Sequence, residues 1–383
     1  MKIVADCNIP FVAECCSSLG DVLLSGGRDM DAKMVADADI LLVRSITKVG
    51  AELLEGSSVR FVGTVTIGKD HIDEEYLREK GIGFASAPGS NANSVAEYIV
   101  AALLALGKKH KFELDGKSIG IVGVGNVGSR VEKKAMALGM KVVLNDPPLA
   151  RETGDAKYRS IEEVYGCDFV TVHTPLTFEG EDKTYHLVDG DFLGALKKEC
   201  YFLNSSRGGV VDTAALKKAI AEKTISGAVL DVWENEPDID GELLLKVELS
   251  TPHIAGYSFD GKVAGMGMIY EAACDCFGVE AKHSASDFLP APEVARIDLD
   301  EFSGSEESII GNVVQQVYVI NRDDFNTREI LLIEENGRGK WFDDLRKNYA
   351  VRREFQNTEV LVKDAESSIA KKLAGIGFKV IRK

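Results

Sequence analysis

Three glycines, Gly123, Gly125 and Gly128, lie in the segment IVGVGNVGSR with the spacing Gly-x-Gly-x-x-Gly. They follow an apolar run and open a segment of helical composition, which is the context in which this pattern binds a dinucleotide. The first glycine permits a tight turn, the second lets the backbone approach a pyrophosphate, and the third allows close packing of the helix. Because the phosphates would meet the amino end of that helix, we expect this loop, with Asn126 and Val127, to bind such a cofactor.

Asp146 ends the next apolar run along the chain. A carboxylate at this place can accept hydrogen bonds from both ribose hydroxyls of an adenosine, whereas it would repel a 2′-phosphate. The two features together favour NAD over NADP as cofactor, although Arg151 lies close enough in sequence to keep NADP open. The alternative interpretation is a glycine-rich turn followed by a surface aspartate.

Three charged or titratable residues, Arg207, Glu236 and His253, stand at the ends of later apolar runs. In a doubly wound sheet, ligands bind at the carboxyl ends of the strands. Oxidising a hydroxyl with a nicotinamide needs a base for the hydroxyl proton, and a histidine oriented by a carboxylate is suited to that near neutral pH. We therefore expect His253 to be the base, Glu236 its orienting partner, and Arg207 the bidentate ligand of a substrate carboxylate.

Other polar residues near these strand ends are candidates for cofactor contacts. Thr174 and Pro175 follow the run FVTVH, and we expect them, with Ser206, to contact the cofactor, whereas the role of His173 stays undecided. Asp231 ends the run AVLD and is placed to meet a nicotinamide carboxamide, the alternative being a helix cap or turn aspartate. The remaining histidines are interpreted as structural, because a lone histidine is more often structural than catalytic. They are His71, His110, His186 and His283.

Strands must position these residues, and the sequence contains two series of short apolar runs. Continuous rather than alternating runs indicate strands buried on both faces, as in a parallel sheet. Helical segments separate the runs, so each series predicts the βα repeat of a doubly wound α/β unit, with a densely apolar helix at 93–110 between them. The first series lies at 2–6, 21–25, 39–45, 59–66 and 81–89, and the second at 118–125, 141–146, 169–175, 201–206, 228–233 and 249–256.

The segment SDFLPAPEVAR at 286–296 contains two prolines and indicates a linker. Beyond it, Ser303 and Glu306 have capping-box spacing before a helix, and strand, helix and strand patterns end the chain, which fits a small α+β domain. We therefore expect three domains. They are a discontinuous substrate-binding domain of 1–96 and 257–285, an NAD-binding Rossmann-type domain of 97–256, and a C-terminal domain of 286–383.

The composition excludes several classes of protein. With 383 residues, 45% of them hydrophobic and 28% charged, the chain is typical of a folded protein of two or three domains. Its formal charge of −16 would be repelled by a phosphate backbone or an anionic membrane, so neither nucleic acid nor a membrane is an expected partner. Seven cysteines without zinc-knuckle spacing indicate reduced thiols and no metal site. The amino terminus lacks the apolar region of a signal peptide, so no export is expected.

The segments GVGNVG, HTPL, NSSRGGVVD, LDVWENEP and TPHIAGYS occur in this order. Through them the sequence resembles the D-isomer-specific 2-hydroxyacid dehydrogenase family. Arg207, Glu236 and His253 fall on the catalytic arginine, glutamate and histidine of that family. The resemblance implies a Rossmann-type NAD-binding domain, a flavodoxin-like substrate domain, and oxidation of a 2-hydroxy acid with NAD as cofactor.

Further segments resemble one branch of the family, which acts on a phosphorylated hydroxy acid and has a C-terminal dimerisation domain. They are LLVRSITKV, FVGTVTIGKDHID, APGSNANSVAEY, NDPPLA, HIAGYSFDGK and DDLRKNYAVRRE. The serines of NSSRGG and the run TVTIGKDH depart from the family pattern, which affects substrate geometry more than chemistry. The resemblance implies a homodimer in the cytoplasm. It also assigns substrate binding to Ser45, Thr66 and Tyr257, and NAD binding to Asp146, Asp231 and Gly256.

A phosphorylated substrate carries a carboxylate at one end and a phosphate at the other. Arg207 is expected to bind the carboxylate. For the phosphate we expect Arg44 with Ser45, and Arg346 or Lys347 reaching across a dimer interface, because LRKNYAVRR is a basic cluster in an acidic protein. The alternative for that cluster is a solvated helix face.

Two other functions stay open. One is a dehydrogenase for another D-2-hydroxy acid, such as glycerate or 3-phosphoglycerate, and activity on an unphosphorylated substrate would favour it. The other is a non-catalytic, NAD-sensing interaction protein built on the same fold. The absence of a disordered tail or a basic localisation run argues against the second alternative.

Overall fold

The computed structural model describes residues 1–383, the whole chain. It divides into two compact units, one of Met1–Asn91 with Ser258–Ala291 and the other of Ala92–Tyr257 with Pro292–Lys383. The domains expected at 97–256 and 286–383 thus lie almost wholly within one unit. No helix has both the length and the apolar character needed to cross a membrane, and all seven cysteines are free thiols.

Fourteen strands and sixteen α-helices follow one another along the chain. The strands are β1 (Lys2–Asp6), β2 (Asp21–Ser25), β3 (Ile40–Val43), β4 (Phe61–Thr64), β5 (Gly83–Ser86), β6 (Ser118–Val122), β7 (Lys141–Asn145), β8 (Phe169–Val172), β9 (Tyr201–Asn204), β10 (Gly227–Leu230), β11 (Leu249–Ser250), β12 (Arg296–Asp298), β13 (Glu359–Val362) and β14 (Lys379–Arg382). The helices are α1 (Val12–Cys16), α2 (Ala32–Val35), α3 (Ala51–Leu54), α4 (Glu74–Lys80), α5 (Ala92–His110), α6 (Gly128–Ala137), α7 (Pro147–Thr153), α8 (Ile161–Tyr165), α9 (Gly190–Ala195), α10 (Thr213–Ala221), α11 (Gly241–Lys246), α12 (Phe259–Phe277), α13 (Glu306–Val317), α14 (Ile320–Arg328), α15 (Glu335–Lys347) and α16 (Ser368–Ile376).

The first unit is built on a five-stranded parallel sheet in the order β2-β1-β3-β4-β5. This is the flavodoxin-like order of a doubly wound sheet. All four residues of β3 are buried, which is why the sequence shows a continuous apolar run there instead of an alternating one. Helix α12 begins after Ser258, whose hydroxyl accepts from the Gly261 N–H, and packs against β4 and β5.

The second unit contains a six-stranded parallel sheet in the order β11-β10-β9-β8-β6-β7. A parallel bridge between Leu144 and Tyr158 adds one more position beside β7. With it, the sheet has the 3-2-1-4-5-6 order of the Rossmann fold, extended by β11. The order reverses at β6, which lies between β7 and β8. A ligand crevice is therefore expected at the carboxyl ends of β6 and β8.

The C-terminal part of the second unit forms a three-stranded parallel sheet in the order β12-β13-β14, accompanied by α13 to α16. Helix α13 packs against α5, and α16 packs against α6, so residues of the two expected domains share one hydrophobic core. The expectation that Ser303 caps α13 is wrong. The chain turns at Gly304, where φ is +132°, and the helix begins only after Ser305, whose hydroxyl accepts from the Ser308 N–H.

Buried charged side chains also join α5 and α6 to the C-terminal part. Glu97 of α5 accepts a hydrogen bond from the Phe355 N–H at 3.0 Å, and Lys134 of α6 donates to the Ile376 carbonyl. Burial raises the pKa of Glu97 to about 8, and the charge of Glu354 adds to this rise. The Glu97 carboxyl group is therefore mainly protonated at neutral pH.

Candidate active site

The glycine loop connects β6 to α6 at the point where the strand order reverses. Gly123 has a φ of +87°, a left-handed conformation that glycine adopts without strain. A Cβ atom on Gly123 would lie 2.7 Å from the His173 carbonyl oxygen, and one on Gly128 would lie 2.1 Å from the Gly123 carbonyl oxygen. A Cβ atom on Gly125 would meet no atom within 4 Å. The loop is thus closely packed on its protein side and open at Gly125, which fits the approach of a pyrophosphate.

Asp146, just after β7, holds this loop. Its Oδ2 accepts from the Val124 N–H at 2.7 Å, and its Oδ1 accepts from the Leu149 N–H at 3.0 Å as the cap of α7. The half-buried carboxylate has remaining lone pairs for ribose hydroxyls. Arg151, which kept NADP open, is paired with Asp182, and no side chain caps the amino end of α6. The residues present therefore fit NAD.

His173, Thr174 and Pro175 follow β8, on the other side of the reversal point. The His173 Nε2 lies 3.0 Å from the Thr171 hydroxyl. Burial lowers the pKa of His173 to about 3, so its imidazole is neutral and too weakly basic to collect a proton at neutral pH. The His173 Nδ1 and the Thr174 hydroxyl are enclosed without a hydrogen-bond partner in the protein. These two atoms fit a bound ligand that would satisfy them.

His253 and Glu236 form a hydrogen-bonded pair. The His253 Nδ1 lies 2.7 Å from Glu236 Oε2, and Glu236 Oε1 accepts from the Trp233 N–H at 2.8 Å. Burial raises the pKa of Glu236, but His253, the Trp233 N–H and Arg346 outweigh this effect and hold the pKa below its ordinary value. Because the ionised carboxylate can only accept, the proton of the neutral imidazole resides on Nδ1 and the lone pair on Nε2. The structure thus brings together the two residues that the sequence paired, in the tautomer that a base requires.

Asp231, just after β10, anchors the loop of residues 251–257 that carries His253, which we call the histidine loop. His253 has a φ of +58°, in the left-handed region that few residues other than glycine occupy. The Asp231 carboxylate accepts from the Ile254 N–H at 2.8 Å and the Ala255 N–H at 3.0 Å, and the Thr251 hydroxyl donates to it at 2.7 Å. Asp231 is 1% exposed, and burial raises its pKa. The side chain therefore holds the histidine loop, and its contact with a nicotinamide carboxamide remains a prediction.

Arg207 follows β9, in a loop that packs against the segment after β10. A Cβ atom on Gly208 would lie 1.9 Å from the Trp233 carbonyl oxygen, so only glycine permits this approach. Ser206 donates its hydroxyl to Asn204 Oδ1 at 2.9 Å. The Arg207 Nη1 donates to the Ser206 carbonyl at 2.8 Å, and the guanidinium is not engaged in an ion pair. Its other N–H groups are therefore available for a substrate carboxylate.

The expected substrate ligands lie in both units. In the first unit, half-buried Arg44 and exposed Ser45 follow β3, and the hydroxyl of Thr66 lies 2.8 Å from that of Thr64. In the second unit, Arg346 Nη2 donates to the Tyr257 hydroxyl at 3.1 Å. Two cofactor-loop residues, Asn126 and Val127, lie directly before α6, and Gly256 directly precedes Tyr257.

The expectation that Arg346 or Lys347 reaches across a dimer interface stays a prediction, and within one chain Arg346 contacts Tyr257, an expected substrate ligand. Arg346 lies on α15 of the same unit as Tyr257. Its guanidinium donates to that tyrosine, and its charge helps to lower the pKa of Glu236, both within one chain. Lys347 is exposed on the same helix. Sequence reasoning also missed Arg352, which donates to the Ala255 carbonyl at 2.7 Å. The basic cluster was the signal for it, but the spacing of basic residues does not show which of them is buried.

The four histidines interpreted as structural all contact other protein groups. His71, His110 and His186 pair through Nε2 with Thr64, Glu248 and Glu234 at 2.9, 2.9 and 2.8 Å, respectively, and His283 packs against the rings of Tyr270 and Phe288. Glu234 of the His186–Glu234 pair lies two residues before Glu236 in the sequence. This pair provides a structural comparison for the His253–Glu236 pair.

Comparison with known proteins accounts for nearly the whole chain. Residues 100–255 match the family model described as D-isomer specific 2-hydroxyacid dehydrogenase, NAD binding domain, and residues 288–377 match a domain of unknown function, DUF3410. Erythronate-4-phosphate dehydrogenase from Salinibacter ruber is 46% identical over 94% of this chain and 94% of that protein. The enzyme of the same name from Shigella flexneri is 42% identical over 100% of this chain and 99% of that protein.

The chain belongs to the D-isomer specific 2-hydroxyacid dehydrogenase family. It is an NAD-dependent dehydrogenase, and the expected family, α/β fold class and cofactor are confirmed. A solved structure of NAD+-bound 3-phosphoglycerate dehydrogenase from Entamoeba histolytica is also similar, with a TM-score of 0.61 and 26% identity over 73% of this chain and 95% of that one.

Proposed function

We propose that this dehydrogenase oxidises 4-phospho-D-erythronate to 2-oxo-3-hydroxy-4-phosphobutanoate with NAD, as a step in the biosynthesis of pyridoxal 5′-phosphate (vitamin B6). The relatives named erythronate-4-phosphate dehydrogenase support the substrate, because their identity of 42–46% extends over 94% or more of the chain. The observation that carries the proposal is the 2.7 Å contact between His253 Nδ1 and Glu236 Oε2, in the same unit as the glycine loop.

In the proposed reaction, His253 removes the proton from the substrate hydroxyl through Nε2. When bound, NAD supplies the acceptor for the hydride that leaves the same carbon, so the hydroxy acid becomes an oxo acid, NADH forms, and one proton stays on the imidazole. Glu236 stabilises the resulting imidazolium, because its carboxylate already accepts from Nδ1. Arg207 holds the substrate carboxylate and draws negative charge toward the neighbouring oxygen.

Arg346 is our proposed ligand for the substrate phosphate, and the expectation that Arg44 and Ser45 bind it stays a prediction. Arg346 Nε is enclosed and has no hydrogen-bond partner in the protein, although its Nη2 donates to Tyr257. Arg346 is half-buried and its Nη1 lies 3.7 Å from Asp343 Oδ1, and a guanidinium with an unsatisfied donor can bind a phosphate oxygen. Thr66 and Tyr257 complete the proposed substrate ligands.

The role of Arg346 is tested by Arg346→Ala with two substrates. We expect the KM for 4-phosphoerythronate to rise roughly tenfold or more, because a charge-assisted hydrogen bond is lost. The KM for erythronate without phosphate should change little. An unchanged KM for the phosphorylated acid would remove Arg346 from the phosphate site.

The function itself is tested by mixing the purified protein with NAD and 4-phosphoerythronate and following the absorbance of reduced nicotinamide. Erythronate, glycerate and 3-phosphoglycerate serve as competing substrates in parallel reactions. We expect the highest kcat/KM for 4-phosphoerythronate. A higher value for one of the other acids would assign a different substrate. No turnover of any of them, with biological activity kept in His253→Ala, would favour the NAD-sensing interaction protein.

We further propose that the enzyme is a cytoplasmic homodimer whose C-terminal region forms the interface. Two large apolar side chains of that region, Phe325 and Leu332, are 64% and 83% exposed, which supports an interface there. Light scattering after size-exclusion chromatography tests the oligomeric state. A monomeric mass at micromolar concentration would contradict the proposed dimer.

A further inference from the structure

Arg352 is a buried arginine that the proposed reaction does not use. It lies between α15 and the turn at Phe355–Asn357, is 6% exposed, and stacks over the ring of Tyr318 at 4.1 Å. Its Nη2 donates to the Ala255 carbonyl at 2.7 Å, while its Nε and Nη1 have no partner. Because burying a guanidinium is costly, its one directional contact indicates a specific role at Ala255.

Ala255 lies two residues after His253, in a segment whose backbone is constrained. His253 has a φ of +58°, and such conformations persist only where the surroundings over-determine them. On one side of the segment, the Asp231 carboxylate accepts from the N–H groups of Ile254 and Ala255. On the other side, Arg352 donates to the Ala255 carbonyl. The Asp231 carboxylate thus binds two N–H groups of this segment, and the oppositely charged Arg352 guanidinium binds one of its carbonyl groups.

The groups around Arg352 keep its guanidinium charged. Burial opposes the charge, but Tyr318, Tyr349, Glu97 and Asp323 favour it and hold the pKa above its ordinary value. Tyr349 donates its hydroxyl to Asp323 Oδ2 at 2.7 Å, which fixes that carboxylate beside the arginine. Arg352 therefore provides a permanent donor to the histidine loop.

We propose that Arg352 is a positioning residue that fixes the orientation of the catalytic base His253. This inference rests on the proposed function, in which His253 takes the substrate proton. Under this proposal the C-terminal region contributes to catalysis, because its Arg352 donates the hydrogen bond that fixes the Ala255 carbonyl. The contact is made within one chain and acts through the backbone, without touching substrate.

The test compares Arg352→Met with Arg352→Lys and with a control, Arg328→Met. Arg328 also connects the C-terminal region to backbone carbonyls, those of Leu244 and Val247, but neither lies in the histidine loop. The main readout is the proton NMR signal of the His253 Nδ1–H in the NAD-free protein, assigned by its disappearance in His253→Gln. Thermal stability and the kinetics with NAD and 4-phosphoerythronate are measured on the same samples.

We expect Arg352→Met to lose or shift the Nδ1–H signal and to lower kcat by about 10²-fold, because a misplacement of roughly 1 Å costs that much. The KM for NAD should stay within about twofold, since the glycine loop is unchanged. Arg352→Lys should restore most of kcat, because the ammonium can still donate to Ala255. Arg328→Met should lower the melting temperature without changing the signal.

A wild-type signal and wild-type kcat in Arg352→Met would overturn the proposal. The same loss in Arg328→Met would overturn it as well, because the effect would then be a general loss of stability. If Arg352→Met does not fold, Tyr318→Leu replaces it: that variant removes the surface on which the guanidinium stacks, and an unchanged signal and kcat would refute the role of Arg352. If the wild type does not oxidise 4-phosphoerythronate, the function fails, but the NMR comparison still decides the positioning.

Discussion

Replacing Glu236 by glutamine changes the protonation pattern of the catalytic pair with little change in its shape. In the wild type, Glu236 Oε1 accepts from the Trp233 N–H and Oε2 accepts from His253 Nδ1. The glutamine carbonyl can keep the Trp233 contact, which turns the amide N–H₂ toward His253. An N–H donor there requires Nδ1 to be the acceptor, so the imidazole proton moves to Nε2. The nitrogen that faces the substrate then carries a proton and cannot act as a base.

The expected loss follows from the contact and its exposure. A hydrogen bond between charged partners contributes about 1.5–3 kcal/mol, and about 1.4 kcal/mol corresponds to tenfold in rate. The two side chains are 32% and 20% exposed, so solvent screening reduces the electrostatic part to the lower half of that range, roughly 10- to 40-fold. The unfavourable tautomer of the His253 imidazole lowers kcat further. We therefore expect kcat to fall about 10²-fold in Glu236→Gln, with KM for NAD nearly unchanged.

The assay is the pH dependence of kcat/KM, measured through the absorbance of NADH. In the wild type, kcat/KM should fall in acid, because the proposed reaction needs a free base. In Glu236→Gln, kcat/KM should be lower across the whole profile, because the imidazole nitrogen that would take the substrate proton already carries one. Glu234→Gln is the matched control, since it disrupts the His186–Glu234 pair of 2.8 Å only two residues away. A wild-type profile in Glu236→Gln, or an equal loss in Glu234→Gln, would refute the pairing argument.

Three further substitutions test the cofactor site and the core. Gly128→Ala puts a Cβ atom 2.1 Å from the Gly123 carbonyl oxygen, so calorimetry should show NAD affinity reduced by about tenfold or more. Asp146→Asn removes the charge that would face the ribose, and the NAD-to-NADP ratio of kcat/KM should fall by about tenfold; an unchanged ratio would contradict this role. The pKa of Glu97 is about 8 in the folded protein and 4.5 in the unfolded chain. The stability that this group contributes is therefore fully present below pH 4.5 and is lost progressively as the pH rises to about 8. Glu97→Gln should flatten the melting temperature across that window, and a wild-type slope would contradict a protonated Glu97.

The sequence predicted the parts of the site that are held by local structure. The glycine loop, Asp146, and the three proposed catalytic residues each follow an apolar run, because a strand buried in a parallel sheet is apolar and ligands bind beyond its carboxyl end. Strand positions such as 2–6 and 21–25 therefore agree with β1 and β2 to the residue. The fold class followed from the same periodicity.

Arg352, which sequence reasoning missed, and the contacts of Asp231, which it did not predict, both join distant segments of the chain. Nothing near Asp231 in the sequence shows that its carboxylate accepts from Ile254 and Ala255. The buried position of Arg352 is equally hidden, because it lies in a cluster of basic residues that resembles a solvated helix face. The cap of α13 was misplaced for a related reason, since the Ser-x-x-Glu spacing does not reveal the turn at Gly304.

The C-terminal region makes contacts across the boundary between the residue ranges that the two family models match. The family model of the NAD-binding domain ends at residue 255, and the second match begins at residue 288. Yet Arg352 donates to the Ala255 carbonyl, Arg346 donates to the Tyr257 hydroxyl, and Phe355 donates its N–H to Glu97. Each of these buried or half-buried groups would lose one contact without the C-terminal region, and losing a hydrogen bond in a buried place is costly. The region beyond residue 288 therefore contacts the loop that carries His253, the proposed base, and it is also the proposed site of dimer formation.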